Sequence, residues 1–341
     1  MAGTQFMSNT ESEGPPPRFV TRLVIDCMVE TAPLIAKYHG GELVRGVVFL
    51  ALMQANRTSY ASLRRNPAGR TGSNGALKPI SINALAQSLA MPAETVRRYL
   101  LKLVAADRCV RMGGKGYVVP DSVLEQPWFG QFADRCYVLF LRMIGDFKAM
   151  GFDFGALGKT DARPEPHTKG NGATGTFCPA AGEISGRLYR RVVLDFVLRI
   201  IECGIPLHNN DILSAVVYSA IMSANAKAIT NDPVNAWRYA THRTPPPDAL
   251  RKPVSVLHIA ALLGAPYETV RRHVGDLVAG GKCVRVGKNG ILLRMSEMQR
   301  PEVLQSGKTI TLRFVQVIAA LKTLGFDFAA VDETRKALAA E

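Results

Sequence analysis

Two short segments of the chain carry nearly the same set of charged and hydroxyl side chains. AETVRRY at 93–99 and YETVRRH at 267–273 each place a carboxylate, a hydroxyl and two guanidinium groups within five residues. Guanidinium groups bind planar acceptors and oxyanions through two hydrogen bonds at once. Because the set occurs twice, we expect two related binding surfaces in this chain.

The residues around the first segment predict a helix, a tight turn and a second helix. Ser81 is a suitable N-cap for a helix that runs to Leu89, and Pro92 suits the first turn of the next helix. Apolar residues recur on the second helix at the spacing of a buried stripe, namely Val96, Leu100 and Leu103. The charged residues of the segment are then expected on the outer face.

A basic hairpin is predicted directly after this helix. The run Cys109–Met112 reads as a strand, the glycine-rich 113–116 as a turn, and Tyr117–Val119 as a second strand. KCVRVGKNGILL at 282–293 repeats the pattern in the second half.

This combination resembles the winged helix-turn-helix transcriptional regulators of the MarR, GntR and catabolite-activator type. The resemblance rests on LAQSLAMPAETVRRYLLKL with RCVRMGGKGYVV, and on IAALLGAPYETVRRHVGDL with KCVRVGKNGILL. It implies a mainly α fold with small β-wings, as two tandem winged helix-turn-helix domains, each flanked by additional helices. It also implies that helix 92–103 lies in the major groove of DNA and that the hairpin touches the backbone or the minor groove.

The roles of single residues follow from the same resemblance. Glu94 and Arg98 would read base edges, since a carboxylate can accept from cytosine N4 and an arginine can bind guanine O6 and N7; their mutual pairing on a solvated face is the alternative. Thr95 and Arg97 would contact phosphates. The equivalent residues of the second copy are Glu268, Thr269, Arg271 and Arg272.

Further contacts are expected from the wings and from positions that differ between the copies. Basic wing residues could contact phosphates or the minor groove, or could belong to an ordinary charged hairpin: Arg111, Lys115, Arg285 and Lys288. Tyr99 differs from His273, and Ala93 from Tyr267, at positions predicted to face outward. We therefore expect the two copies to read related but unequal half-sites.

The duplication extends beyond these segments and predicts the domain organisation. Residues 89–113 match 263–287, and VVFLALMQAN at 47–56 matches VVYSAIMSAN at 216–225. Helices are expected around 19–32, 42–58, 186–203 and 209–229, with closing helices at 131–150 and 307–324, and irregular loops at 57–79 and 226–253. The predicted divisions are a tail at 1–17, repeat one at 18–154, a flexible linker at 155–185, repeat two at 186–330, and a tail at 331–341.

Composition is consistent with a nucleic-acid partner. The chain has 42 Lys and Arg against 28 Asp and Glu, a net charge of +14, which attracts polyanions through counterion release. The six cysteines form no C-x-x-C pair, and Cys109 and Cys283 are expected to be buried thiols of a cytosolic protein. No apolar run is expected to reach the length needed to span a membrane, and the predicted location is cytoplasmic, associated with the nucleoid.

No catalytic, metal-binding or cofactor-binding pattern is recognised, so we predict no enzyme, no metal and no cofactor. The expected function is a sequence-specific double-stranded DNA-binding transcriptional regulator, with self-association through the flanking helices as a further expectation. Two alternatives remain open at this point: a plasmid or phage replication initiator with tandem winged helix domains, and a protein-interaction scaffold that does not bind DNA.

Overall fold

The computed structural model describes residues 15–56, 77–155, 157 and 183–331. Within these ranges the protein is mainly helical, with small antiparallel sheets. The expected irregular loop at 57–79 and the expected linker fall largely outside them. The predicted linker extended to 185, whereas the helix that follows it already begins at residue 183.

The described residues of the first half form six helices and a hairpin. They are α1 (Pro17–Tyr38), α2 (Leu43–Asn56), α3 (Ile82–Ser88), α4 (Ala93–Ala105), β1 (Val110–Arg111), β2 (Tyr117–Val118), α5 (Asp121–Leu124) and α6 (Pro127–Ala149). A single 3₁₀ turn, Gly113–Lys115, joins the two strands.

Compared over the described residues, the second half repeats this order with one further helix and one further strand. It comprises α7 (Glu183–Gly204), α8 (Ile212–Thr230), α9 (Pro233–Arg238), β3 (Val254–Ser255), α10 (Val256–Leu263), α11 (Tyr267–Ala279), β4 (Cys283–Val286), β5 (Gly290–Leu293), α12 (Met295–Met298) and α13 (Pro301–Thr323). Short 3₁₀ turns lie at Ile205–His208 and Asp248–Leu250.

Local sequence explains where the short helices begin and which faces they bury. The Ser81 hydroxyl accepts a hydrogen bond from the Ala84 amide at 3.2 Å, and Ser255 accepts one from His258 at 3.1 Å. The predicted apolar stripe of α4 is confirmed, because Val96, Leu100 and Leu103 are all buried.

Two expectations about the loops and helix ends are wrong. The first helix was expected around 19–32, but α1 continues through Pro33 to Tyr38. Buried residues on both sides of Pro33, such as Val29 and Ile35, hold the helix together by tertiary packing, which offsets the cost of about 3 kcal/mol for an interior proline. The expected irregular loop at 226–253 contains the end of α8 and the whole of α9, whose N-cap Asp232 accepts from the Val234 amide.

Each half has a small antiparallel sheet with the same pairing. In the second half the strand order is β3-β5-β4, with Val254 opposite Ile291 and Cys283 opposite Leu293. In the first half β1 pairs with β2, and an isolated bridge joins Ile80 to Tyr117, the equivalents of Val254 and Ile291. The two hairpins are therefore anchored alike.

The long helices of the two halves pack together around one continuous apolar core. Helix α1 contacts α8 and α13 of the second half, and α7 contacts α2 and α6 of the first. Phe147 on α6 stacks on Phe314 of α13, with ring centroids 4.6 Å apart. The equivalent helices of the two halves thus cross over in an approximately reciprocal way.

Helix α8, with 19 residues, is long and apolar enough to cross a membrane by length and composition. The expectation that no apolar run reaches such a length is therefore wrong. Most of α8 is buried, and it contacts α1, α7, α10 and α11. These surroundings are those of a buried core helix.

Cys109 and Cys283 are buried, as expected, at equivalent positions at the start of each hairpin. Burial raises the pKa of both thiols to about 12. They therefore behave as small apolar groups in the core.

Candidate nucleic-acid interface

Helices α4 and α11 are positioned by tight turns with the same backbone conformation. Ala90 has φ 50°, and Gly264, its equivalent, has φ 56°, so both adopt the left-handed conformation that ends one helix and redirects the chain into the next. Below each turn, a buried stripe fixes the helix against its own half: Leu100 is fully buried in α4 and Val274 in α11. The opposite faces point to solvent.

An ion pair recurs near the start of both helices. Arg97 donates to both carboxylate oxygens of Glu94, each at 2.7 Å, and Arg271 donates to Glu268 at 2.8 Å. The hydrogen bond from Arg97 lowers the pKa of Glu94, so this carboxylate is charged. Glu94 therefore pairs with Arg97, three residues further along the helix, and not with Arg98, four residues along.

The second arginine of each helix remains exposed. Within the described ranges, Arg98 and Arg272 have no hydrogen bond or ion pair. Thr95 and Thr269 lie half-buried beside them, at the edge of the exposed face. The two helices thus present the same group, an unpaired guanidinium, at the same position.

The prediction that His273 faces outward is wrong. Its side chain is buried, with 6% of its surface exposed, and Nδ1 lies 2.9 Å from the Ser214 hydroxyl and 3.3 Å from the Asp211 carboxylate. Burial alone would raise the pKa of Asp211, but hydrogen bonds from His273 and Ser214 outweigh it and lower that pKa to about 2. His273 therefore joins α11 to the N-terminal end of α8 and is removed from the candidate contacts.

Tyr99, the equivalent of His273, is only half-buried, and the Lys102 ammonium lies 5.5 Å from its ring centre. Burial raises the pKa of Tyr99, and the charges of Glu42 and Asp211 add to this. The difference between these two positions therefore concerns how each helix is held. The other difference does reach the surface, because Tyr267 is 45% exposed and Ala93 is exposed too.

The basic residues of both hairpins lie at the surface. The side chains concerned are Arg111, Lys115, Arg285 and Lys288, all of them exposed. No hydrogen bond or ion pair engages any of these four within the part of the chain that the structure describes. Residues 62–78 of the predicted loop contain four basic and no acidic side chains, which makes this segment a further candidate for contact with the DNA backbone; it lies outside the described residues except for 77 and 78.

Two buried asparagines that the sequence reasoning missed anchor the hairpins. The Asn56 amide donates to the Lys78 and Tyr117 carbonyls, both at 2.9 Å, and its oxygen accepts from the Val119 amide at 2.8 Å. Asn225 makes the same three bonds in the second half, at 2.8, 3.1 and 2.9 Å. The signal was present, because both residues end the matching segments VVFLALMQAN and VVYSAIMSAN.

Asp211, Ser214 and His273 bring a carboxylate, a hydroxyl and an imidazole together, a combination that merits comparison with hydrolytic triads. In those triads the serine and the carboxylate lie at opposite nitrogens of the ring. Here both address Nδ1, and Nε2 is buried. The arrangement is that of a helix cap tied to a neighbouring helix. In the described ranges, no group of three or more His, Cys, Asp or Glu residues is placed to hold a metal ion.

No protein-family model, no curated protein and no solved structure matches this chain.

Proposed function

We propose that this protein is a transcriptional regulator of the winged helix-turn-helix type that binds double-stranded DNA with α4 and α11. The observation that carries the proposal is the exposed, unpaired arginine at the same position of two equivalent helices, Arg98 and Arg272. Each helix follows a tight turn and precedes an anchored hairpin, as the resemblance implies for both halves. The proposed location is the cytoplasm, in association with the nucleoid.

Within each helix the side chains divide the work of binding. Arg98 and Arg272 supply guanidinium groups that can bind guanine O6 and N7 through two hydrogen bonds. Glu94 and Glu268 hold the neighbouring Arg97 and Arg271 through ion pairs, which directs those arginines towards phosphates rather than bases. The exposed wing residues add positive charge for the DNA backbone.

The two halves supply in one chain what a symmetric dimer supplies in two. A single module buries too little surface for selective binding at cellular salt. Because the long helices of both halves share one core, the second helix reaches the DNA without a separate association step. A net charge of +14 favours the encounter with DNA.

The test is DNA affinity of arginine variants on a sequence selected from random duplexes. Arg98→Ala and Arg272→Ala should each weaken binding by about 1–3 kcal/mol and relax the preference at one base pair. Arg97→Ala is the matched control, because it removes a guanidinium of the same helix that already has a partner. That variant should weaken binding to all sequences alike.

Binding should also weaken steeply as salt increases, because phosphate contacts release counterions. If the Arg98→Ala/Arg272→Ala double variant binds the selected duplex as well as the wild type, DNA recognition by these helices is refuted. A protein-interaction scaffold would then be the better explanation.

A further inference from the structure

A cluster of buried and half-buried basic side chains lies at the junction of the two halves. It involves the N-terminal end of α1, the segment from Tyr239 to Arg251 and helix α13. Arg18 is its centre: only 7% of the residue is exposed, and both Nε and Nη2 are buried with no hydrogen-bond partner in the described ranges. A buried guanidinium of this kind is costly unless an acceptor reaches it.

The neighbours of Arg18 also have unused donors. Arg22 donates to the carbonyls of Tyr239 and Ala236 at 2.9 and 2.6 Å, which leaves its Nε without a partner among the described residues. Both ring nitrogens of His242 and Nε of Arg251 are also buried and have no hydrogen-bond partner among the described residues.

The charges of these groups act on one another. Burial lowers the pKa of Arg18, and Arg251 lowers it further. Burial and the charge of Arg18 lower the pKa of Arg22 to about 10 despite the opposing charge of Asp26. The pKa of His242 is also lowered, first by burial and then by Arg18 and Lys308.

The carboxylates that interact with this cluster are already engaged. Asp26 accepts hydrogen bonds from Ser223 at 2.5 Å and Lys227 at 3.0 Å. Asp248 pairs with Arg251, which also donates to the Leu293 carbonyl at 2.7 Å. In the described part of the chain, positive charge at the junction therefore exceeds negative charge, and several donors point to no acceptor.

We propose that a small phosphate-bearing anion binds here, with Arg18, Arg22 and His242 as its donors. Guanidinium and imidazole N–H groups match phosphate oxygens in charge and in hydrogen-bonding geometry. Because Arg18 is buried, the ligand must be a small free anion; a phosphate that is part of a DNA duplex cannot reach this side chain in the core. Gly307 of α13 lies at the same place: a Cβ there would be in ordinary van der Waals contact, 3.5 Å from Thr21 Oγ1 and 3.6 Å from His242 Cε1.

The anion would bridge the two halves of the molecule. Arg18 and Arg22 belong to α1 of the first half, whereas His242 and Arg251 belong to the second half. Neutralising the repulsion between them stabilises the junction, so ligand binding and folding are coupled. This proposal does not depend on DNA binding, and its test involves no DNA.

The experiment measures binding of inorganic phosphate to the full chain by calorimetry, and its effect on Tm at constant ionic strength. Sulfate and acetate serve as parallel probes of anion shape and charge. Phosphate should bind with saturation and raise Tm, and Arg18→Gln should weaken that binding at least about tenfold, as expected for loss of a charge-assisted bidentate contact. His242→Gln is the second variant if Arg18→Gln fails to fold, and Arg285→Gln, on an exposed wing, is the control that should bind normally.

Two outcomes would overturn the proposal. The first is a wild-type protein whose Tm does not change when phosphate is added, together with an Arg18→Gln variant whose Tm is higher than that of the wild type under all conditions. The second concerns Glu11 and Glu13, which precede α1 in the sequence. If phosphate binds only to a Glu11→Gln/Glu13→Gln variant and not to the wild type, carboxylates of the chain itself occupy the site.

Discussion

Asn56 and Asn225 show how much of this architecture depends on single polar side chains. Each lies at or near the C-terminal end of a long core helix and bonds two carbonyls and one amide, in the chain before the helix-turn-helix and in the second hairpin strand. The main chain adds a fourth bond, from the Lys78 amide to the Asn56 carbonyl at 3.1 Å and from Lys252 to Asn225 at the same distance. The hairpin is thereby fixed to the core helix in both halves.

Asn225→Ala should lower the free energy of unfolding by about 2–4 kcal/mol, because it removes hydrogen bonds to one buried carbonyl, one part-buried carbonyl and one buried amide. Asn56→Ala should have a similar effect through the same bonds. Asn231→Ala, at the exposed end of the same helix α8, is the control and should change stability by less than about 1 kcal/mol. Chemical denaturation measures all three, and equal losses for Asn225 and Asn231 would contradict the structural role.

Two buried histidines at equivalent positions make stability depend on pH. Burial lowers the pKa of His39 to about 4 and that of His208 to about 3, so both are neutral in the folded protein at neutral pH. The unfolded chain binds these protons already near pH 6.5. Stability is therefore complete above about pH 6.5 and falls as the pH decreases towards the folded-state values.

Between about pH 6.5 and its folded-state pKa, each histidine should lower the free energy of unfolding by about 1.4 kcal/mol for every pH unit of acidification. Denaturation series at about pH 7.5, 6 and 5 measure the slope. His39→Leu should make the slope shallower, whereas His258→Gln, at an exposed position, should leave it unchanged. A slope that is the same in the wild type and His39→Leu would show that His39 is not the titrating group.

At the scale of elements, the turns before α4 and α11 solve the same backbone problem with different residues. Both need a positive φ, which costs a non-glycine residue about 1–2 kcal/mol, while glycine costs about 0.5–1 kcal/mol in conformational entropy. The first half uses Ala90 and the second uses Gly264. A Cβ on Gly264 would also lie only 3.2 Å from Pro33 Cβ in α1.

The reciprocal substitutions should therefore have opposite signs. Ala90→Gly should stabilise the protein by about 0.5–1 kcal/mol, because relief of the left-handed strain exceeds the entropy cost. Gly264→Ala should destabilise it by about 1 kcal/mol or more, since strain and the contact with Pro33 add together. Thermal unfolding of the two variants checks this, and a shift of the same sign in both would refute the argument.

Local patterns predicted most elements but not their partners. The buried stripe of α4 and the cap at Ser81 follow from the sequence of those helices alone. His273 could not be placed in this way, because a polar residue beside the stripe of α11 reads as exposed until Asp211 and Ser214 are known to cover it. The end of α1 was wrongly predicted for a similar reason, because packing against other helices outweighs the local effect of Pro33.

For the whole molecule, the internal repeat predicted two equivalent halves but not the way they share a core. Periodicity identifies the apolar face of a helix, whereas the identity of the helix that covers it is set by long-range packing. Helix α8 is apolar all round because elements of both halves, α1 among them, surround it. The same packing determines the relative orientation of α4 and α11.

This rigidity gives the proposed DNA binding a spacing requirement that can be measured. Inserting about five base pairs between the half-sites of the selected operator rotates one half-site by about half a helical turn. Two helices held by a common core cannot both reach their half-sites on the lengthened operator, so affinity should fall to that of a single half-site.

Inserting about ten Gly and Ser residues near position 170 of the protein should leave affinity within about twofold, because that segment would only tether halves already held by packing. If the lengthened protein instead tolerates the widened operator, the halves bind as independent modules on a flexible tether, and the shared core does not set the geometry of recognition.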